Sequence, residues 1–100
     1  MGDDGGMADV ETRNNEAQGR YEAYVDGELA GSAYYELDEK RIVFTHTEVD
    51  DRFEGQGVGS ALARFALDDV RATGGHRVVP RCPFIKGWID RHPDYRDLTR

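Results

Sequence analysis

Cysteine is nearly absent from this chain, and that alone restricts it. Cys82 is the only one, so no internal disulfide can form. The expected setting is therefore a reducing one, the cytoplasm. Long apolar runs are missing too; none approaches the ~20 residues that span a bilayer. The start, Met1-Gly2-Asp3-Asp4, lacks the basic and then apolar layout of a secretory leader, so no membrane association is expected. Basic residues are few: 13 Lys and Arg against 20 Asp and Glu, a formal charge of −7. That balance argues against nucleic acid or an anionic membrane as partner. His46, His76 and His92, with one cysteine, show no metal-ligand spacing, and no metal is expected.

One hundred residues allow one domain with a modest core. Met1 to Gly19 is acidic and almost free of large apolar residues. It reads as a disordered tail, followed by a folded domain over residues 20–100.

Alternation organises the next segments. Tyr21, Ala23 and Val25 share one face of a strand over Arg20 to Asp26. Asp26-Gly27 suits a two-residue hairpin turn with positive φ at both positions. Glu28 to Leu37 returns, with Leu29, Gly31, Ala33, Tyr35 and Leu37 together on one face. After a second turn at Asp38-Glu39-Lys40, Arg41 to Val49 is a third strand rich in β-branched residues. The three form an antiparallel meander.

Glu54-Gly55-Gln56-Gly57-Val58-Gly59-Ser60 then joins that strand to a helix over Val58 to Thr73. Alternate glycines let the backbone turn tightly and a ligand approach closely. A helix start leaves N–H groups unpaired and partly positive, which suits a phosphate. The loop is no P-loop, because no Lys-Ser/Thr follows it, and its spacing is wrong for a dinucleotide fold. On the loop alone, a tight turn without ligand stays open. The helix carries a polar stripe, Ser60, Arg64, Asp68 and Arg71, and is otherwise mostly apolar, as a crossover on a sheet should be. Asp69 breaks the pattern. Gly74-Gly75 stops the helix. Arg77 to Cys82 reads as a fourth strand, parallel to the third. Phe84 to Arg91 reads as a short helix that buries Phe84, Ile85, Trp88 and Ile89.

Val49 to Leu62, with Gly57 and Gly59 at its centre, resembles the acetyl-CoA pyrophosphate loop of the GNAT N-acetyltransferases. Glu54 stands where that loop usually has Arg or Gln. Cys82-Pro83-Phe84 and His92-Pro93-Asp94-Tyr95 are similar to the minimal, single-domain YjdJ-type branch. The resemblance covers about Arg20 to Leu98. It implies a truncated α+β GNAT-like fold, with three-stranded meander, crossover helix, fourth parallel strand and short C-terminal helix. Acetyl-CoA is the implied co-substrate, with Gln56, Gly57, Val58, Gly59 and Ser60 on the pyrophosphate and the backbone of Thr47, Glu48 and Val49 along the pantetheine. Lys86 is either a contact to the 3′-phosphate or part of a solvated face.

Three residues are candidates for the chemistry. Cys82, at the end of the fourth strand, either accepts an acyl group or is an inert core thiol. His46 is either a general base or a hydrogen-bonded strand residue; with Cys82 it should flank one notch between the splayed strands. Tyr95 either protonates the leaving thiolate, as the resemblance implies, or anchors the C-terminus. The expected activity is acetyl transfer to an amine, of a small molecule or a protein, by a monomer or weak homodimer. The alternative is a CoA-binding regulatory module with little catalysis.

Overall fold

A computed structural model describes residues 9–100. The order is β1 (Val10–Asn15), β2 (Arg20–Val25), β3 (Glu28–Leu37), β4 (Arg41–Val49), α1 (Val58–Thr73), β5 (Arg77–Pro80) and α2 (Pro83–Arg91), with a 3-10 helix over Pro93–Thr99. One mixed sheet holds the strands in chain order; neighbours are antiparallel except β4 and β5, which are parallel. The meander, crossover helix, parallel strand and terminal helix are as expected. Asp26 and Gly27 turn the first expected hairpin with φ of 52° and 81°.

The first strand corrects the disordered tail. Val10 to Asn15 pairs with β2 across six residue pairs. An edge strand needs only one half-buried face, so it survives with little apolar content. Here Val10, Thr12 and Asn14 turn inward, and polar bonds take over part of the apolar role. Tyr35 donates its hydroxyl to Asn14 Oδ1 at 2.6 Å. Asn15 donates Nδ2 to Glu22 Oε2 at 3.0 Å. The part of the expected tail before Asp9 lies outside the described residues.

Both helices share one apolar cluster with the inward face of the sheet: Tyr21, Ala23, Ala33, Tyr35, Ile42 and Phe44 meet Leu62, Ala66, Leu67, Ile85 and Trp88. The polar stripe of α1 is not simply solvated; it receives α2 and the 3-10 helix after it. Trp88 Nε1 donates to Ser60 Oγ at 3.0 Å, Tyr95 donates its hydroxyl to Asp68 at 2.8 Å, and Arg71 grips Asp97 through both terminal nitrogens. Asp69 is placed as well: its carboxylate accepts from the Tyr21 hydroxyl at 2.8 Å.

Two bulges set which residues face which side. In β3, Ala23 pairs with Gly31 but Tyr24 pairs with Leu29, so Ala30 is the extra residue. Leu29 therefore leaves the expected apolar face and is exposed, while Ala30 is buried. In β4, Tyr34 pairs with His46 but Tyr35 with Phe44, so Thr45 is extra. Before Thr45 the even-numbered residues Ile42 and Phe44 face the helices. After it, Thr47 and Val49 do, and His46 and Glu48 point to the opposite face.

Candidate active site

The helix start is built as the glycine spacing requires. Gly57 caps α1 at φ 79°, a conformation that strains any residue with a Cβ, and no side chain caps this end. The first backbone bond into the helix runs from Ala61 N–H to the Gly57 carbonyl at 3.0 Å. The N–H groups of Val58, Gly59 and Ser60 are thus without acceptors among the described residues, at the positive end of a 16-residue helix. Gln56 differs: its N–H reaches the Phe53 carbonyl at 3.4 Å.

These amides border a cleft of about 350 Å³ between the loop and α2. Phe84, Trp88, Arg91 and His92 line its far side. They recur at three- and four-residue spacing, which puts them along one side of α2. Arg91 is in no ion pair among the described residues and is a cation available to this cleft. His92 stacks on Trp88 with centroids 3.7 Å apart. Its Nδ1 lies 2.7 Å from the Trp88 carbonyl, which can only accept, so Nδ1 carries the proton. Lys86 lies outside this cleft; it pairs with Asp90 at 3.6 Å and lines a separate surface hollow with Arg96 and Arg100.

β5 stays paired with β4 only as far as Phe44 and Pro80. One more bond, from Cys82 N–H to the Phe44 carbonyl at 2.9 Å, closes the junction. Beyond it, Thr45 to Val49 has no strand partner on its outer edge among the described residues. Cys82 sits in that fork, but it is only 2 % exposed, with its sulfur 3.3 Å from Thr47 Oγ1. Iodoacetamide is expected to label it at least ~10-fold more slowly than a free thiol, read by intact mass. Rapid labelling would show that the fork opens.

The expected notch shared by Cys82 and His46 does not form. The bulge at Thr45 turns His46 away from the face that Thr47 and Cys82 occupy. His46 instead stacks on Tyr34 at 4.5 Å and approaches Glu48 Oε2 through Nε2 at 3.1 Å. Both side chains are more than half exposed. They end a polar network across the open face of the sheet. Asn15, Arg20 and Tyr24 all donate to Glu22, which is almost fully buried. Arg20 continues to the Tyr34 hydroxyl at 3.2 Å. Burial pushes the Glu22 carboxyl up, but the three donors outweigh it and hold the carboxyl below its usual range.

Tyr95 is buried against α1. Its bond to Asp68, then its burial, raise its pKa, and Arg64 donates to its oxygen at 3.3 Å. The hydroxyl proton is committed to a carboxylate on the outer stripe of α1, an anchoring arrangement. Among the described residues no group of three His, Cys, Asp or Glu is placed to hold a metal, and no helix is long and apolar enough to cross a membrane.

Comparison with known proteins places this geometry. Residues 20–98 match the family model described as GCN5-related N-acetyl-transferase. No curated protein matches the chain. Among solved structures, Ard1 from Thermoplasma volcanium aligns with a TM-score of 0.51 at 25% identity, over 62% of this chain and 44% of that one. The ribosomal-protein-alanine N-acetyltransferase from Brucella melitensis biovar Abortus 2308 aligns with a TM-score of 0.54 at 20% identity, over 81% of this chain and 61% of that one, a likeness of fold alone. The chain spans less than two thirds of either structure's length. With the family model covering residues 20–98, the chain belongs to the GCN5-related N-acetyltransferase family.

Proposed function

We propose that the protein transfers an acetyl group from acetyl-CoA to an amine. One observation carries the reading: Val49 lines both the cleft at the uncapped helix start and a second cleft on the open face of the sheet. A pyrophosphate on the α1 amides and an acceptor beside Glu48, the partner of His46, would thus meet across the unpaired end of β4. Acetyl-CoA supplies an activated thioester carbonyl. The amides of Val58, Gly59 and Ser60, with Arg91, would hold its phosphates, and the free edge of Thr47 to Val49 would align its arm.

The acceptor nitrogen must be neutral to attack. Glu48 as a carboxylate can only accept a hydrogen bond, so in the neutral ring His46 Nε2 carries the proton and Nδ1 the lone pair. His46 Nδ1 takes the proton of the attacking amine, and Glu48 steadies the resulting imidazolium. Cys82 and Tyr95 have no part in this route. Their burial and anchoring favour a second reading, a CoA-binding module without turnover. In the preferred reading the protein is a minimal YjdJ-type member, cytoplasmic, and a monomer or weak homodimer.

The test is titration with acetyl-CoA followed at the backbone amides. Shifts should be largest from Gly57 to Ser60. A Cβ at Gly59 would lie 2.9 Å from Phe84 Cζ. That ring is 38% exposed and can swing away, so Gly59→Val should keep the fold while crowding the cleft. Affinity is expected to fall at least ~10-fold, since each ~1.4 kcal/mol of lost contact has that effect. Shifts confined to β1 and β2 would end this proposal. Loop shifts without acetylation of any amine in a panel would leave the second reading.

A further inference from the structure

Resting on that reading, we infer that the cleft on the open face is the acceptor site and that it selects an amine carrying a second positive charge, in the simplest case a diamine. The cleft is about 460 Å³ and is lined by Leu29, Ser32, Tyr34, Glu48, Asp50 and Asp51, among others. Three of these are acids, and Glu28 lies at the same end of the sheet. The cation nearby, Arg52, is already held by Asp50 and Glu28, each at 3.2 Å. Asp51 has no ion pair among the described residues.

A second observation is independent of the acids. Ser32 is only 4% exposed, lines this cleft, and its hydroxyl has no hydrogen-bond partner among the described residues. Buried hydroxyls are normally paired, so an orphan facing a cleft points to a ligand that supplies the partner. Ser32 sits directly opposite Glu48 in the β3–β4 register. An ammonium or amine between them finds an acceptor hydroxyl on one side and a carboxylate on the other.

The requirement for a second charge follows from the chemistry. The nitrogen that attacks is neutral at that moment and cannot answer the surrounding carboxylates. A second ammonium stays charged throughout. With the reacting nitrogen at the Glu48 end of the cleft, where Glu48 reaches out to His46, Asp51 is the free carboxylate left to receive the second charge. The transfer balances simply: the new N–acyl bond replaces the S–acyl bond, the amine proton goes to His46, and the thiolate leaves and is protonated from solvent.

The experiment compares 1,4-diaminobutane with butylamine, followed at the amides of Ser32, Glu48 and Asp51. The diamine should bind about tenfold more tightly, and added salt should shrink the difference. Asp51→Asn should reduce the diamine's advantage. Ser32→Ala should keep the melting temperature, because it removes an unpaired hydroxyl, yet weaken the diamine. Equal affinity for the two amines, or shifts elsewhere, would overturn the inference. A parallel acetyl-CoA titration separates the two levels. Loop shifts without diamine preference defeat the acceptor assignment alone; an unmoved loop defeats the acetyltransferase reading and the inference with it.

Discussion

His46→Ala should lower turnover about 10²-fold, the lower end of what a positioned general base contributes. The imidazole is more than half exposed, and its contacts are a stack on Tyr34 and one bond to Glu48. Its removal should therefore change stability by only about 0.5 kcal/mol. Acetyl-CoA binding should persist, because the cleft at the helix start does not include His46. Glu48→Gln should also slow the reaction by losing the imidazolium partner. The double variant should be little worse than the worse single one, since the pair acts as a unit. Steady-state rates for the three variants, with melting curves as control, settle the matter. Wild-type turnover by His46→Ala would remove the dyad from the mechanism and leave solvent as the base.

Removal of residues 1–19 should destabilise the domain by roughly 2–4 kcal/mol, although composition alone describes that stretch as dispensable. Six ladder pairs disappear, and with them the inward packing of Val10. Tyr35 loses the acceptor of its 2.6 Å bond, and Glu22 loses one of its three donors. An exposed β2 edge replaces a paired one, which invites association. In a domain of this size the loss should lower Tm by ~10 °C or more. Thermal unfolding of the shortened chain checks this. An unchanged Tm would show that β1 adds no net stability. Asn14→Ala isolates one part of the effect and should cost about 1 kcal/mol.

Much of the architecture was legible because it rests on period. Tyr21, Ala23 and Val25 alternate; Leu62, Ala63, Ala66, Leu67 and Val70 recur at helical spacing; glycines punctuate the join. What stayed hidden rests on single residues. Nothing in Val10-Glu-Thr-Arg-Asn-Asn announces an edge strand, since Asn14 and Asn15 contribute through bonds to residues that only the fold brings near. Asp69 looked misplaced on an apolar helix face until the Tyr21 hydroxyl met it. The bulge at Thr45 was the costliest omission for the site. It left only a faint trace: the large apolar residues of β4 fall at even Ile42 and Phe44 but at odd Val49, with Val43 blurring the change. Strict alternation carried His46 to the wrong face and paired it with Cys82. The glycine loop falls at the start of α1, where the sequence put it, but the residues that face it across the cleft were not foreseen. Lys86 drew attention by charge, whereas Phe84, Trp88, Arg91 and His92 had only their spacing to recommend them.

The extra residue in β4 also divides that strand into two registers of consequence. Ahead of Thr45, a changed side chain at Ile42 or Phe44 is felt by the core and by folding. Past it, side chains at His46 and Glu48 project from a face where little else depends on their shape. His46 and Glu48 can thus change with little effect on the core, whereas Ile42 and Phe44 cannot. Were Thr45 drawn into regular pairing, alternation would run on from Phe44 and put the imidazole of His46 and the carboxylate of Glu48 against the helices. Deletion of Thr45 would instead leave Phe44 and His46 as ladder neighbours on opposite faces, with the same residues inward as before.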